Sequence, residues 1–376
     1  MHFSFYSPVK LVFGRPVADA LPEAITEVGA QRVLLVSDAG LAEVGLVKQI
    51  AGLLHGAGRA VTVFAEVQSN PTVRDVEAGL ADAARAEALV AVGGGSVIDV
   101  AKGIGLLATN GGSYADYQWH GRPVTQPILP LIAVPTTAGT GSEATKVTVI
   151  ADAETHFKKG VLSPHLFPRI SVVDPALTLS LPPKLTAATG ADVLVHALEA
   201  FVGRRANAVS DALALTALER AWRALPQATH HGDDLEARAE MALASTLAGM
   251  AFDQSGLGII HSLAGPLAGQ YDLHHGLSNA LLLPYGLAFN LPILGNKRVP
   301  LLKAMDIPTT TPDKAVIERV KAWVRDLGLP LTFGEAGITA SNIAALAEEA
   351  SRMVLLLNNP RPASAEDCQR ILEQMV

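Results

Sequence analysis

The sequence predicts an α/β domain built on a parallel sheet, followed by an all-α domain. Three observations predict it. Short β-branched runs alternate with amphipathic segments through the first half, strand signals nearly vanish after about Pro175, and long Ala- and Leu-rich segments fill the rest. Strand–helix alternation is the pattern of a parallel sheet covered by helices. The expected domains are 1–178 and 179–376.

Taken in order, the N-terminal MHFSFYSPVKLVFG lacks the basic, apolar, small-residue succession of a signal peptide and reads as strand-forming. Strands follow at Arg32 to Ser37, Ala60 to Phe64, Ala88 to Val92 and Leu129 to Val134. Pro182 and Pro183 mark the junction, because proline's fixed φ and missing N–H suit the first turn of a helix. Helices are expected over Pro183 to Phe201, Ala206 to Ala224 and Leu235 to Phe252. The most apolar stretch, Ala280 to Gly295, is interrupted by Pro284, Asn290 and Pro292, short of the roughly 20 apolar residues a membrane span needs. No period of repeat length and no low-complexity run is present.

Composition narrows the function classes. Of 376 residues 49% are hydrophobic and 17% charged, against a usual charged share of about 25%, and the mean hydropathy is +0.30. This is a core-rich globular chain. With 29 Lys and Arg against 36 Asp and Glu, the net charge of -7 argues against nucleic acid or an anionic membrane as partner. The single cysteine, Cys368, cannot close an intrachain disulfide, so the chain fits a reducing compartment and a cytoplasmic location is expected.

Chemistry first shows where Val90 to Val92 runs into Gly93, Gly94, Gly95 and Ser96, then a helix holding Asp99 and Lys102. Glycines allow close backbone approach, and the free N–H groups and positive dipole end of the following helix favour a phosphate. The alternative is a tight connection without a ligand, since the spacing is not GxGxxG. A second loop rich in hydroxyls, Pro135 to Glu143, follows the next strand, at the place where open α/β sheets bind ligands. Two such loops point to a dinucleotide. Asp38 closes the strand VLLVSD and has two readings: a hydrogen-bond acceptor for an adenosine ribose that selects NAD over NADP, or the N-cap of the next helix.

The second half holds a sharper constellation. Asp192 and His196 stand four apart in an otherwise apolar helical segment, on one face and about one turn apart. His261 follows the apolar Leu257 to Ile260, and His275 lies in YDLHHG on a segment expected to form a separate helix. Each histidine alone reads as an ordinary core or surface residue. Together, one carboxylate and three imidazoles buried without partners would be costly, and a shared cation such as Fe(II) or Zn(II) removes that cost.

These segments resemble the iron-containing, group III alcohol dehydrogenases over nearly the whole chain. GGGSVIDVAK, PTTAGTGSE, VVDPALTLSLPPKLTAATGADVLVHALEA, GLGIIHSLAGPL with YDLHHGLSNALLLP, and NNPRP resemble that family's motifs in order. The resemblance implies a Rossmann-like dinucleotide-binding domain followed by a helical domain, a dehydroquinate synthase-like two-domain architecture, with the active site in the cleft between them. It implies metal ligands Asp192, His196, His261 and His275, with Fe(II) or Zn(II) bound. It implies NAD contacts at Asp38, Asn70, Gly94, Gly95, Ser96, Asp99, Thr136, Thr137, Thr140, Lys158 and Thr178, while Thr145 and Phe252 match positions bordering the nicotinamide and substrate. The implied activity is hydride transfer between the nicotinamide and a small alcohol or aldehyde polarised by the metal, in a homodimer formed through the N-terminal strand.

Three departures bear on the transfer. Val97 stands where relatives often have Pro, Val147 where many have Asn, and Gly265 where many have a second His. For the missing His two readings stay open: His274 beside the ligand His275 supplies a proton relay, or it is a solvent-facing neighbour. Trp119, His120 and Arg122 likewise read either as shaping the cleft mouth or as packing. The rival activities are a maleylacetate reductase-like reduction and a dehydroquinate synthase-like elimination. Each calls for basic groups around the substrate, and the expected metal neighbourhood is poor in Lys and Arg.

Overall fold

The computed structural model describes residues 2–152 and 158–376, the side chains of 119, 120 and 158 excepted. It divides into two compact units. One comprises Ser7–Thr137 with Gly141–Thr178, the other Leu179–Val376 with Met1–Tyr6 and Ala138–Thr140.

The first unit is α/β. Its elements are β1 (Lys10–Phe13), α1 (Val17–Val28), β2 (Arg32–Val36), α2 (Ala39–Glu43), α3 (Leu46–Gly56), β3 (Ala60–Phe64), α4 (Val73–Asp82), β4 (Ala88–Gly93), α5 (Gly95–Asn110), β5 (Leu131–Pro135), β6 (Val147–Ala151), β7 (Lys158–Leu162) and β8 (Ile170–Val173). Six strands form one sheet in the order β1-β8-β5-β4-β2-β3, every pairing parallel. Strand residues alternate between two buried faces. Leu34, Val36, Leu89, Ala91, Leu131 and Ala133 join the core with α5. Val33, Leu35, Val90, Val92, Ile132 and Val134 join the core with α1 and α3. A sheet covered on both faces needs both sets apolar, and this is why the strands read as continuous hydrophobic runs.

Two elements have no counterpart in the sequence expectations: the antiparallel ribbon β6–β7 and the sheet strand β8. β8 is only four residues long, and its run ISVV abuts a proline-bounded turn, so its period is too short to stand out.

The second unit is helical: α6 (Pro183–Val202), α7 (Ala208–His230), α8 (Leu235–Ser255), α9 (Ile259–Tyr271), α10 (His275–Asn290), α11 (Arg298–Ala304), α12 (Asp313–Asp326), α13 (Ile343–Ser351) and α14 (Ala365–Glu373). α6 starts at the expected prolines, with Pro182 as N-cap. It packs against α7, α8 and α10 and is buried along nearly its whole length. Among the described residues it is the one helix long and apolar enough to cross a membrane, and that apolarity serves its burial inside this unit.

Prolines end fewer helices than the sequence implies. α7 continues through Pro226 to His230, past the expected end at Ala224. The proline removes the N–H that would bond the carbonyl of Trp222, and the indole N–H of Trp323 donates to that carbonyl instead, at 3.1 Å. The rings of Trp222 and Trp323 stack at 4.9 Å. α10 likewise runs through Pro284 and ends at Asn290, so Pro284 does not interrupt the apolar stretch as expected.

Candidate metal centre and cofactor edge

α6 places Asp192, His196 and Glu199 along one buried face, α9 brings His261, and α10 brings His275 at its first residue and Asn279 one turn on. The ligand atoms of Asp192, His196, His261 and His275 all lie within 4.8 Å of one another. From Asp192 Oδ1 to Nε2 the distances are 3.8 Å for His196, 3.6 Å for His261 and 3.9 Å for His275. The first three residues are buried. The His275 side chain is 36% exposed, which leaves the group open on that side. Phe252, from α8, stacks on the His196 ring at 4.5 Å, and His196 stacks on His261 at 4.7 Å.

The electrostatics prepare these atoms for a cation. Burial alone would raise the Asp192 carboxyl, but the charges of His196, His275 and His261 outweigh it and hold it well below the usual carboxylate range. Burial lowers His196 to about 4, only partly offset by Asp192, so its ring is neutral. Burial would lower His261 too, but its bonds to Asp192 and Glu199 and their charges push it up to about 9. The proton titrating there is on Nε2, because Nδ1 is held 2.7 Å from Glu199 Oε2.

Glu199 and Asn279 were not anticipated as members of the site. Besides the His261 ring, Glu199 accepts from the backbone N–H groups of Gly258 at 2.9 Å and Ile260 at 2.6 Å. Asn279 Nδ2 donates to Asp192 Oδ1 at 2.7 Å and lies 3.2 and 3.1 Å from Nε2 of His261 and His275. Two buried atoms here, His196 Nδ1 and Asn279 Oδ1, have no hydrogen-bond partner. A mixed set of one carboxylate and three imidazoles, with a buried carboxylate fixing one ring through its far nitrogen, fits a borderline divalent cation such as Fe(II) or Zn(II). His274 is exposed at the N-cap position of α10, and its side chain makes no cap bond.

In the α/β unit, β2 connects to β3 on one side and β4 to β5 on the other, so the strand order switches between the parallel neighbours β2 and β4, and ligands bind outside the C-terminal ends of strands at such a point. Asp38 follows β2, Gly94 and Gly95 open α5 after β4, and Thr136 and Thr137 follow β5. A Cβ on Gly94 would stand 3.4 Å from the Thr137 side chain, so the two loops are in contact. At Gly93 a Cβ would come within 2.5 Å of Val97 Cγ2, so the residue that replaces the family's proline folds over the strand end and requires glycine there. Ser96 Oγ donates to the Ser69 carbonyl at 2.7 Å, tying α5 to the exposed loop that carries Asn70. Asp38 caps α2, its Oδ1 accepting from Leu41 N–H at 2.9 Å.

Other residues carried over from the resemblance hold the loops themselves. The Asp99 carboxylate accepts from Ser142 Oγ at 2.5 Å and Val149 N–H at 2.8 Å. Thr145 presents its carbonyl and hydroxyl to Lys102 Nζ, and Thr178 Oγ1 donates to the Pro175 carbonyl within its own 3₁₀ turn. Thr140 belongs to the helical unit with Ala138 and Gly139, where Gly139 N–H donates to Ser245 Oγ at 2.9 Å. The Lys158 side chain lies outside the described residues, as do those of Trp119 and His120. Arg122 packs over the Tyr117 ring at 5.3 Å.

Known proteins share this fold. Residues 8–175 match the family of iron-containing alcohol dehydrogenases, and residues 186–376 match the C-terminal domain of the same family. A NAD-dependent methanol dehydrogenase of Bacillus methanolicus is 36% identical over 98% of this chain and 99% of its own. A 1,3-propanediol dehydrogenase of Klebsiella pneumoniae is 36% identical over 99% of this chain and 98% of its own. The crystal structure of a 1,3-propanediol oxidoreductase superposes with a TM-score of 0.95 at 36% identity, covering 100% of both chains.

Proposed function

The chain belongs to the iron-containing alcohol dehydrogenase family, and from that premise we propose that it is a NAD(H)-linked dehydrogenase acting on a small alcohol, or on the corresponding aldehyde in reverse. The observation that carries the proposal is the convergence of Asp192, His196, His261 and His275 within 4.8 Å, at one buried place in the helical unit. A divalent cation held by these four supplies Lewis acidity toward the substrate oxygen, while the nicotinamide carries the hydride.

The chain's own residues do the positioning. Asp192 stays ionised and provides the one formal negative charge of the donor set. His196 stays neutral, with Phe252 covering its ring from one side. Glu199 holds Nδ1–H of His261 and so keeps Nε2 turned toward Asp192. The half-exposed His275 marks the side from which a substrate enters. In the α/β unit the opening of α5 would supply backbone N–H groups for a pyrophosphate, and the position of Asp38 directly after β2, where it also caps α2, supports the reading that its carboxylate disfavours a 2′-phosphate.

The finer reading is Fe(II) as the metal, with Zn(II) second, and NAD over NADP. We further assign a homodimer joined through β1, one of the two edge strands of the sheet, and a cytoplasmic location. Neither rival activity, maleylacetate reduction or dehydroquinate-type elimination, is favoured by the relatives. The test is NADH oxidation with a panel of small aldehydes, on anaerobically purified protein supplied with Fe(II), supplied with Zn(II), or chelated. Turnover that is lost on chelation and restored by metal is expected. No turnover with any aldehyde in the metal-loaded protein would reject the reading.

A further inference from the structure

The C-terminal motif NNPRP has no part in the function described so far, yet its second asparagine is completely buried. Asn359 Oδ1 accepts from the backbone N–H of Ile259 at 3.2 Å and from Asn290 Nδ2 at 2.9 Å. Its Nδ2 donates to Asn290 Oδ1 at 2.8 Å and to the Arg361 carbonyl at 2.7 Å. Three of these four bonds go to the start of α9 and the end of α10, and the fourth stays within the motif.

The start of α9 needs such help. The first N–H groups of a helix have no partner in the helix, and they are usually served by a side chain at the N-cap. Here the N-cap is Gly258, which has none. Instead Glu199 accepts from Gly258, Ile260 and, at 3.4 Å, His261, while Asn359 takes the remaining N–H, that of Ile259. The glycine is what lets both acceptors in: a Cβ at 258 would stand 2.8 Å from Asn359 Oδ1 and 3.1 Å from Glu199 Oε1. The cap is thus a composite of two distant side chains meeting over one glycine, with His261 in the first turn of the helix it fixes.

We propose that Asn359 is a positioning residue of the metal centre: it completes the cap of α9 that Glu199 begins, and so sets where His261 presents its Nε2. The inference rests on the reading of His261 as a metal ligand. An outer-shell group that orients a ligand shows in metal affinity and in the ligand field, which a group serving the fold alone does not move.

The experiment is Co(II) titration of the metal-free full chain, read by visible absorption, for wild type, Asn359→Ala, Asn359→Asp and Gly258→Ala, with Trp323→Phe as a control. Trp323 lies on α12 and donates only to α7. In Asn359→Ala the Co(II) affinity is expected to fall about tenfold, the lower end for an outer-shell partner, with a shifted absorption band. Asn359→Asp keeps an oxygen facing Ile259 and is expected to recover most of the affinity, even where Tm stays low. Gly258→Ala, which displaces both acceptors, is expected to weaken binding at least as much as Asn359→Ala. Trp323→Phe is expected to lower Tm and leave the Co(II) constant alone.

Wild-type affinity and spectrum in folded Asn359→Ala would overturn the proposal while leaving the four-ligand site standing. If Asn359→Ala does not fold, Gly258→Ala decides in the same way, and wild-type binding there overturns it. Failure of the wild type itself to bind Co(II) would remove the metal reading and this inference together.

Discussion

Two buried charges, one in each unit, solve the same problem with opposite signs. Lys102 in the α/β unit is 0% exposed and Glu199 in the helical unit 2%. The ammonium donates to the carbonyls of Ser142 and Val147 at 2.7 Å and of Thr145 at 3.0 Å, and to two hydroxyls. The carboxylate accepts from three backbone N–H groups and an imidazole. Burying a charge is costly unless hydrogen bonds surround it, and in both places the backbone supplies most of them. What differs is what each holds. Lys102 gathers carbonyls from the hydroxyl-rich segment that follows β5 and from the first residue of β6. Glu199 gathers N–H groups from a helix start and with them a metal-ligand candidate, so its removal should reach the chemistry more directly.

Of these two charges, Glu199 should give the larger effect on removal. Glu199→Gln loses the charge and turns a donor toward N–H groups, and metal affinity should fall about 10- to 100-fold. Equilibrium competition with a chelator measures it, and the KM for NAD should stay near wild type. Lys102→Met should do the reverse. It leaves buried carbonyls without a donor at a cost of about 3 kcal/mol, a Tm lower by roughly 4 °C on calorimetry for a chain of this length, and it should raise the KM for NAD without changing the metal constant.

The helical unit should also respond to pH. A cation must displace the Nε2 proton of His261, whose pKa is pushed up to about 9. Metal affinity should therefore rise about tenfold per pH unit between about pH 7 and 9 and flatten above, with one proton released per metal in calorimetry. In the metal-free chain a raised folded-state pKa means stability present below the ordinary value of 6.5 and lost as pH rises through 9, so Tm should drop over that interval. The smallest effect belongs to His274→Ala. The side chain is exposed, so metal affinity should hold, and the pH profile of kcat decides between its two readings: an unchanged profile ends the relay.

The sheet strands β2 to β5, the helices α6 to α8 and the grouping of Asp192 with His196, His261 and His275 could be read from the sequence because each depends on local period or on residue types that are costly to bury. β8 and the β6–β7 ribbon could not, being short and dependent on distant pairing partners. The run of α7 past Pro226 was hidden because the indole that replaces the lost bond lies on α12. Glu199 left a trace: it is a carboxylate in an apolar helix, two turns on from Asp192 and on the same face. Asn279 and Asn359 left none beyond their motifs, since an amide's role is set by what folds against it.

In the proposed function Asp192, His196, His261 and His275 hold one catalytic cation. The most direct test of this is the Zn(II) affinity of the metal-free chain by chelator competition, wild type against His261→Ala. One tight site per chain is expected in the wild type, weakened in the variant by more than the roughly 100-fold that an outer-shell change reaches. Equal affinity in the two proteins, or no stoichiometric site in the wild type, would contradict it.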